Sequence, residues 1–152
     1  MSLPFPAHIR LLSSVTPAPA PITQTLTPTS AFAHLGEIYM ITDRRNNKRY
    51  IGQTKYVHIK NGKEVIYGAE DRFKEHLKCA FSTNEDTRNS CPKLYTAMRE
   101  VPQDQLLNTF EVTMLERCLR WDLNARERHF IKVWKTRRGG YNVTAGGQKR
   151  RK

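Results

Sequence analysis

The first quarter of this chain contains no acid. No Asp or Glu occurs before Glu37, and Arg10 is the only Lys or Arg in residues 1–36. Cysteine is also scarce: Cys79, Cys91 and Cys118 are an odd number with no CxxC pair. This spacing excludes the usual paired-thiol zinc sites and disulfide frameworks. It points to reduced, buried thiols in an intracellular protein. Long apolar runs are missing too. No stretch approaches the ~20 residues that span a bilayer, so neither a transmembrane helix nor a membrane partner is expected.

Positive charge is abundant. Twenty-six Lys and Arg face 14 Asp and Glu, a formal net charge of +12 at pH 7, with a pI near 10.0. Such an excess gathers anions and gives salt-dependent binding to nucleic acid. A basic surface kept only for solubility is the plainer alternative. The expected partner is DNA.

A length of 152 residues accommodates one domain plus tails. Residues 1–35 carry Pro4, Pro6, Pro17, Pro19, Pro21 and Pro28 amid Ser and Thr. Proline on this scale excludes helices and central strands. The segment reads as a disordered arm. An organelle transit peptide is the other reading, because such peptides are acid-poor and Ser-rich. Residues 36–147 read as the folded domain and 148–152 as a basic tail. In that tail Lys149, Arg150 and Arg151 are expected to touch phosphates; a nuclear localisation patch is the alternative.

Within the domain, Glu37 to Asp43 and Arg49 to Thr54 read as strands about a turn at Arg44 to Asn47. An even loop count puts Tyr39 and Tyr50 on one sheet face. Residues 55–67 read as an extra hairpin turned at Asn61-Gly62. It carries Lys55, Lys60 and Lys63, which can reach DNA. Ala69 to Phe81 reads as a helix with Phe73, Leu77 and Ala80 inward, and with Arg72 and His76 on the adjoining face. A polar loop, Ser82 to Asn89, precedes a helix signalled by Ser90 and Pro92 and running to about Arg99. Phe110 to Leu115 reads as a strand. Leu123 to Lys135 reads as a helix whose apolar face holds Leu123, Glu127, Phe130, Ile131 and Trp134.

Glu127 is out of place on that face. A buried carboxylate needs a cation or an ion-pair partner, and either a metal or Arg72 would serve. The other candidates fit phosphodiester chemistry, which needs an activated nucleophile, charge stabilisation and a leaving group that can depart. Glu127 offers hard oxygen to Mg²⁺ or Mn²⁺, and one ligand implies one ion. Arg72 offers a planar fork of donors. Tyr39 and Tyr50 can position or deprotonate water, and His76 can take or relay the proton. Each residue alone has a structural explanation, Asn142 as a turn former included. The joint order is what carries weight.

Gly36-Glu37-Ile38-Tyr39 and Tyr50-Ile51-Gly52, then Arg72 and His76, Glu127 and Asn142, resemble the GIY-YIG nuclease family over about residues 36–147. The resemblance implies an α/β (α+β) fold, in which a small three-stranded antiparallel sheet is flanked by helices. It further implies a metal-dependent DNA endonuclease. Tyr39, helped by His76, orients or deprotonates a water. Arg72 and one divalent ion on Glu127 stabilise the developing charge, and the 3′ oxygen departs to leave a 5′ phosphate. Tyr50 supports the site and Asn142 shapes it. Two departures are evident: Glu37 is an extra residue in the first word, and the 55–67 hairpin lengthens the stretch to Arg72. Homing or mobile-element, restriction and structure-specific repair types all remain open, as does a non-catalytic DNA-binding protein. Nicking requires only a monomer.

Overall fold

A computed structural model describes residues 31–147. The arm through residue 30 and the tail bearing Lys149, Arg150 and Arg151 lie outside the described residues.

The first two strands, β1 (Leu35–Asp43) and β2 (Arg49–Lys55), pair antiparallel. Tyr39 lies opposite Gly52 and Ile41 opposite Tyr50. Side chains alternate along a strand, so Tyr39, Ile41 and Tyr50 share one face, as the even loop implied. Asp43 fixes the turn. Its buried carboxylate accepts from the Arg45 backbone amide (3.0 Å), from the Arg45 guanidinium (3.0 and 2.8 Å) and from the Tyr141 hydroxyl (2.7 Å). The hairpin β3 (Val57–Lys60) and β4 (Lys63–Ile66) forms a separate two-stranded sheet. Asn61 and Gly62 both take positive φ there, as a type I′ turn demands.

The fifth strand, β5 (Phe110–Leu119), lies along the other side of β1, giving the order β2-β1-β5. It runs four residues past the expected Leu115. The sequence turns polar at Glu116 and Arg117, which conceals the continuing strand. Both are held in ion pairs: Glu116 with Arg126 (2.5 Å) and Arg117 with buried Glu37 (2.7 Å).

Central strand β1 is covered on both faces. Tyr39 and Ile41 pack with α1 (Ala69–Ala80) and, past the short α2 (Glu85–Arg88), with α3 (Pro92–Arg99). Ile38 and Ile51 pack with Leu123 and Ile131 on the opposite side. A 3₁₀ turn (Gln103–Gln105) and α4 (Leu106–Thr109) lead into β5, and α5 (Leu123–Val133) and α6 (Thr136–Gly139) close the chain.

Several boundaries differ from expectation. The buried stripe of α1 is Ala69, Phe73, His76 and Ala80, so His76 lies within the stripe and not beside it. The loop at 82–89 contains α2, capped by Asn84, whose Oδ1 accepts from the Thr87 amide at 2.9 Å. The cap of α3 is Cys91, with no side-chain cap bond, and the Ser90 hydroxyl donates instead to the Thr87 carbonyl at 2.9 Å. Helix α5 ends two residues before Lys135, which takes a left-handed φ of 52°. Trp134 therefore leaves the apolar face. It is 40% exposed and stacks under the Arg49 guanidinium, 4.6 Å from its centroid.

Candidate active site

The site lies across the outer edge of β2. An edge strand leaves backbone groups unpaired, and Asn142 satisfies two of them. Its Oδ1 accepts from the Ile51 amide at 2.8 Å, and its Nδ2 donates to the Ile51 carbonyl at 2.9 Å. Both halves of the amide are thus used on backbone. Asn142 ties the glycine-rich close to the strand that carries Tyr50.

A cleft of about 250 Å³ opens at this edge, and its walls include Tyr39, Tyr50, Arg72, Glu127 and Asn142. Five of the six residues singled out as catalytic therefore line one cavity. The sixth, His76, lies behind it. The His76 Nε2 is 2.7 Å from the Tyr39 hydroxyl, and its Nδ1 is 2.8 Å from the Tyr95 hydroxyl. Burial, reinforced by the positive charge of Arg72, lowers the His76 pKa to about 3. The ring is therefore neutral at working pH, with one nitrogen donating and the other accepting. Burial also raises the Tyr39 pKa, while the Arg72 guanidinium pulls it back down. Tyr50 is raised by burial and then by the proximity of Tyr39. Its hydroxyl contacts the Cys91 Sγ at 3.6 Å.

Gly52 makes room for this arrangement. A Cβ at that position would overlap the Tyr39 ring and hydroxyl. The glycine of the second word is thus a steric requirement of the tyrosine of the first.

Arg72 does not pair with Glu127. Its Nη1 donates to Glu75 Oε2 at 2.6 Å, and the Tyr67 hydroxyl donates to the same oxygen. Burial and Glu75 push Tyr67 up to about 12, so it remains a donor. Its ring stacks on His58 of β3 at 4.1 Å. The extra hairpin is thereby linked to the arginine.

Glu127 is 9% exposed and makes no ion pair among the described residues. Its Oε2 accepts from Gln53 Nε2 at 3.0 Å and from the Gly147 amide at 2.6 Å. Both donors are neutral, and neither engages Oε1. Gly146 and Gly147 wrap the carboxylate with φ of +86° and +81°, angles that favour glycine. A buried carboxylate on the wall of a polar cleft, with no ion-pair partner among the described residues and both donors on one oxygen, suits a hard cation. No cluster of three or more His, Cys, Asp or Glu able to hold a metal occurs among the described residues. One carboxylate would be the protein ligand, with water and phosphate completing the shell.

Lys55, Lys60 and Lys63 are exposed at or on the hairpin, outside the cleft. Gln53, Glu75, Tyr95 and Gly147 are site residues that the sequence reading missed. Gln53 had a usable signal. It follows Gly52 on β2, and alternation turns it to the face where α5 brings Glu127. The others depend on tertiary proximity.

No protein-family model and no curated protein sequence matches the chain. Two solved structures do. A variant of the catalytic domain of the intron endonuclease I-TevI aligns at TM-score 0.56 and 25% identity, over 76% of this chain and 99% of that one. The catalytic domain of the homing endonuclease I-TevI aligns at TM-score 0.49 and 24% identity, over 72% and 98%. The antiparallel β2-β1-β5 sheet between helices is the fold that the two tyrosine words implied, and the chain has the fold of a GIY-YIG domain.

Proposed function

We propose that this chain is a DNA endonuclease that hydrolyses phosphodiester bonds with the help of one divalent cation, Mg²⁺ or Mn²⁺. The observation that carries the reading is the convergence of Tyr39, Tyr50, Arg72 and Glu127 on one cleft, with a neutral His76 bonded to Tyr39 behind it. The match to an intron endonuclease domain supports a nuclease, and within that class favours a mobile-element type.

Tyr39 orients the attacking water and accepts its proton as the new O–P bond forms. Burial makes a bare phenolate costly, so the proton must move as charge develops, under the positive field of Arg72. His76 resists holding an extra proton. It acts as a relay: Tyr39 passes its own proton to Nε2 as it takes the water's, Nδ1 gives one to the Tyr95 hydroxyl, and Tyr95 passes its own to Ser90 on the cleft wall and so to solvent. Arg72 presents two-pronged donation to the phosphate oxygens. Glu127 would hold the cation, while Gln53 and Gly147 fix the carboxylate. When bound, that cation neutralises phosphate charge and eases departure of the 3′ oxygen, leaving a 5′ phosphate. Tyr50, beside Tyr39 on the same face, lends support by hydrogen bonding. Lys55, Lys60 and Lys63, with the tail residues Lys149, Arg150 and Arg151, contact backbone phosphates. One cleft per chain makes nicking the elementary event.

The test is a supercoiled plasmid incubated with purified protein in Mg²⁺ or EDTA, beside Glu127→Ala. Nicked or linear product that requires both Mg²⁺ and Glu127 is expected. Cleavage by Glu127→Ala at the wild-type rate would falsify the metal assignment. Salt-sensitive binding with no cleavage on any plasmid would favour a DNA-binding protein built on a nuclease scaffold.

A further inference from the structure

A second hollow, of about 510 Å³, runs between the β3–β4 hairpin and the sheet. It shares two wall residues with the active cleft, Gln53 and Arg72. The two spaces therefore meet at the arginine. Beyond that junction the walls carry Lys55, His58 and Arg120, against a single acid, Glu64. The walls are built from three separate parts of the chain. Lys55 ends β2, His58 belongs to the hairpin, and Arg120 follows β5. Lys55 and Arg120 are exposed. His58 is fixed by its stack on Tyr67, with Nε2 3.4 Å from the Thr54 hydroxyl.

We propose that this groove holds the sugar–phosphate backbone of the nucleic acid flanking the scissile bond, with Lys55 and Arg120 contacting phosphates next to the one Arg72 engages. The inference rests on the nuclease reading and goes beyond it, because it gives the extra hairpin a purpose: it makes the groove's outer wall. The open, polar character of the groove suits a backbone and not a base. Lys55 at the end of β2 and Arg120 after β5, on separate parts of the wall, give phosphates two anchor points. Glu64 opposes this by like-charge repulsion, which gives the proposal a signature of opposite sign.

The experiment uses the full chain with Glu127→Ala, so that DNA is bound but not cut, and a fluorescein-labelled duplex read by anisotropy over a salt series. Each phosphate contact contributes about 0.9 to the salt slope. Lys55→Ala with Arg120→Ala should lower the slope by about 1.8 and weaken binding roughly tenfold or more. The comparison pair is Lys132→Ala with Arg137→Ala, exposed residues of a separate hollow over Ile131. It removes the same charge and should change affinity by less than about twofold. Glu64→Gln should tighten binding several-fold. Equal losses from the two pairs, or no tightening by Glu64→Gln, overturn the groove. If the unmutated chain still nicks plasmid, that result leaves the nuclease reading standing. A chain that binds no DNA overturns both.

Discussion

The Tyr39 hydroxyl lies 2.7 Å from Nε2 of His76, and that contact decides which protonation states the site can use. The imidazole is fully buried between two phenols. Desolvation and Arg72 hold its pKa at about 3, against an ordinary 6.5. It is therefore an exchanger of protons between hydroxyls and not a store of positive charge.

This depression makes stability depend on pH. The unfolded chain takes up a proton at His76 as pH falls through about 6.5, whereas the folded chain resists until about 3. The stabilisation from His76 is thus complete above pH 6.5 and is lost as pH falls toward 3. At about 1.4 kcal/mol per pH unit, a drop from 6.5 to about 5 costs roughly 2 kcal/mol. Urea midpoints taken through this window should fall, and His76→Gln should flatten the slope. The same slope in the variant would show that His76 is not the titrating group.

A different prediction concerns the acid that holds the arginine. Glu75 accepts from both Arg72 and Tyr67, so it orients the guanidinium and also cancels part of its charge. Glu75→Gln removes a negative charge beside the cleft, and DNA should bind at least as tightly. The orientation is lost, so kcat should fall about tenfold, which corresponds to about 1.4 kcal/mol of barrier. Tyr67→Phe should move kcat the same way by less. Single-turnover nicking at varied protein concentration separates the terms. A raised KM with unchanged kcat would mean that Glu75 serves binding alone.

The sheet and most helices were legible because their signals are local. β-Branched and aromatic content gave β1, Asn61-Gly62 gave the hairpin, and the even loop placed Tyr39 with Tyr50. What was illegible depends on residues distant in sequence. Glu37 looked like a loose insertion in the first word. It caps α1 from another element: its Oε2 accepts from the Ala69 amide at 2.8 Å, while Oε1 takes two donors from Arg117. The helix has Gly68 at its N-cap and so no side chain of its own for the task. Likewise, the spacing of Arg72 and His76 placed both near the site. It did not show that His76 would be buried between two hydroxyls while Arg72 turned to Glu75. Periodicity identifies a face, and partners across the fold decide what that face touches.

The glycine pair at the close of the domain offers the last prediction. Gly146 has φ of +86°, and an added Cβ would lie 2.7 Å from Ile131 Cδ1 and 3.1 Å from Glu127 Oε2. Gly146→Ala therefore meets strain and a clash together. A side chain in this φ region costs about 1–2 kcal/mol, and the melting temperature should drop by several degrees. Cleavage should suffer more than stability does. The displaced turn carries the Gly147 amide away from Glu127, and the carboxylate loses one of two donors that fix its direction. Nicking should fall at least tenfold under conditions where the variant remains folded by circular dichroism. Gly139→Ala is the control, since nothing lies within 4 Å of its added Cβ. If Gly146→Ala melts lower yet nicks at the wild-type rate, the turn braces the fold and the direction of Glu127 is set by Gln53 alone.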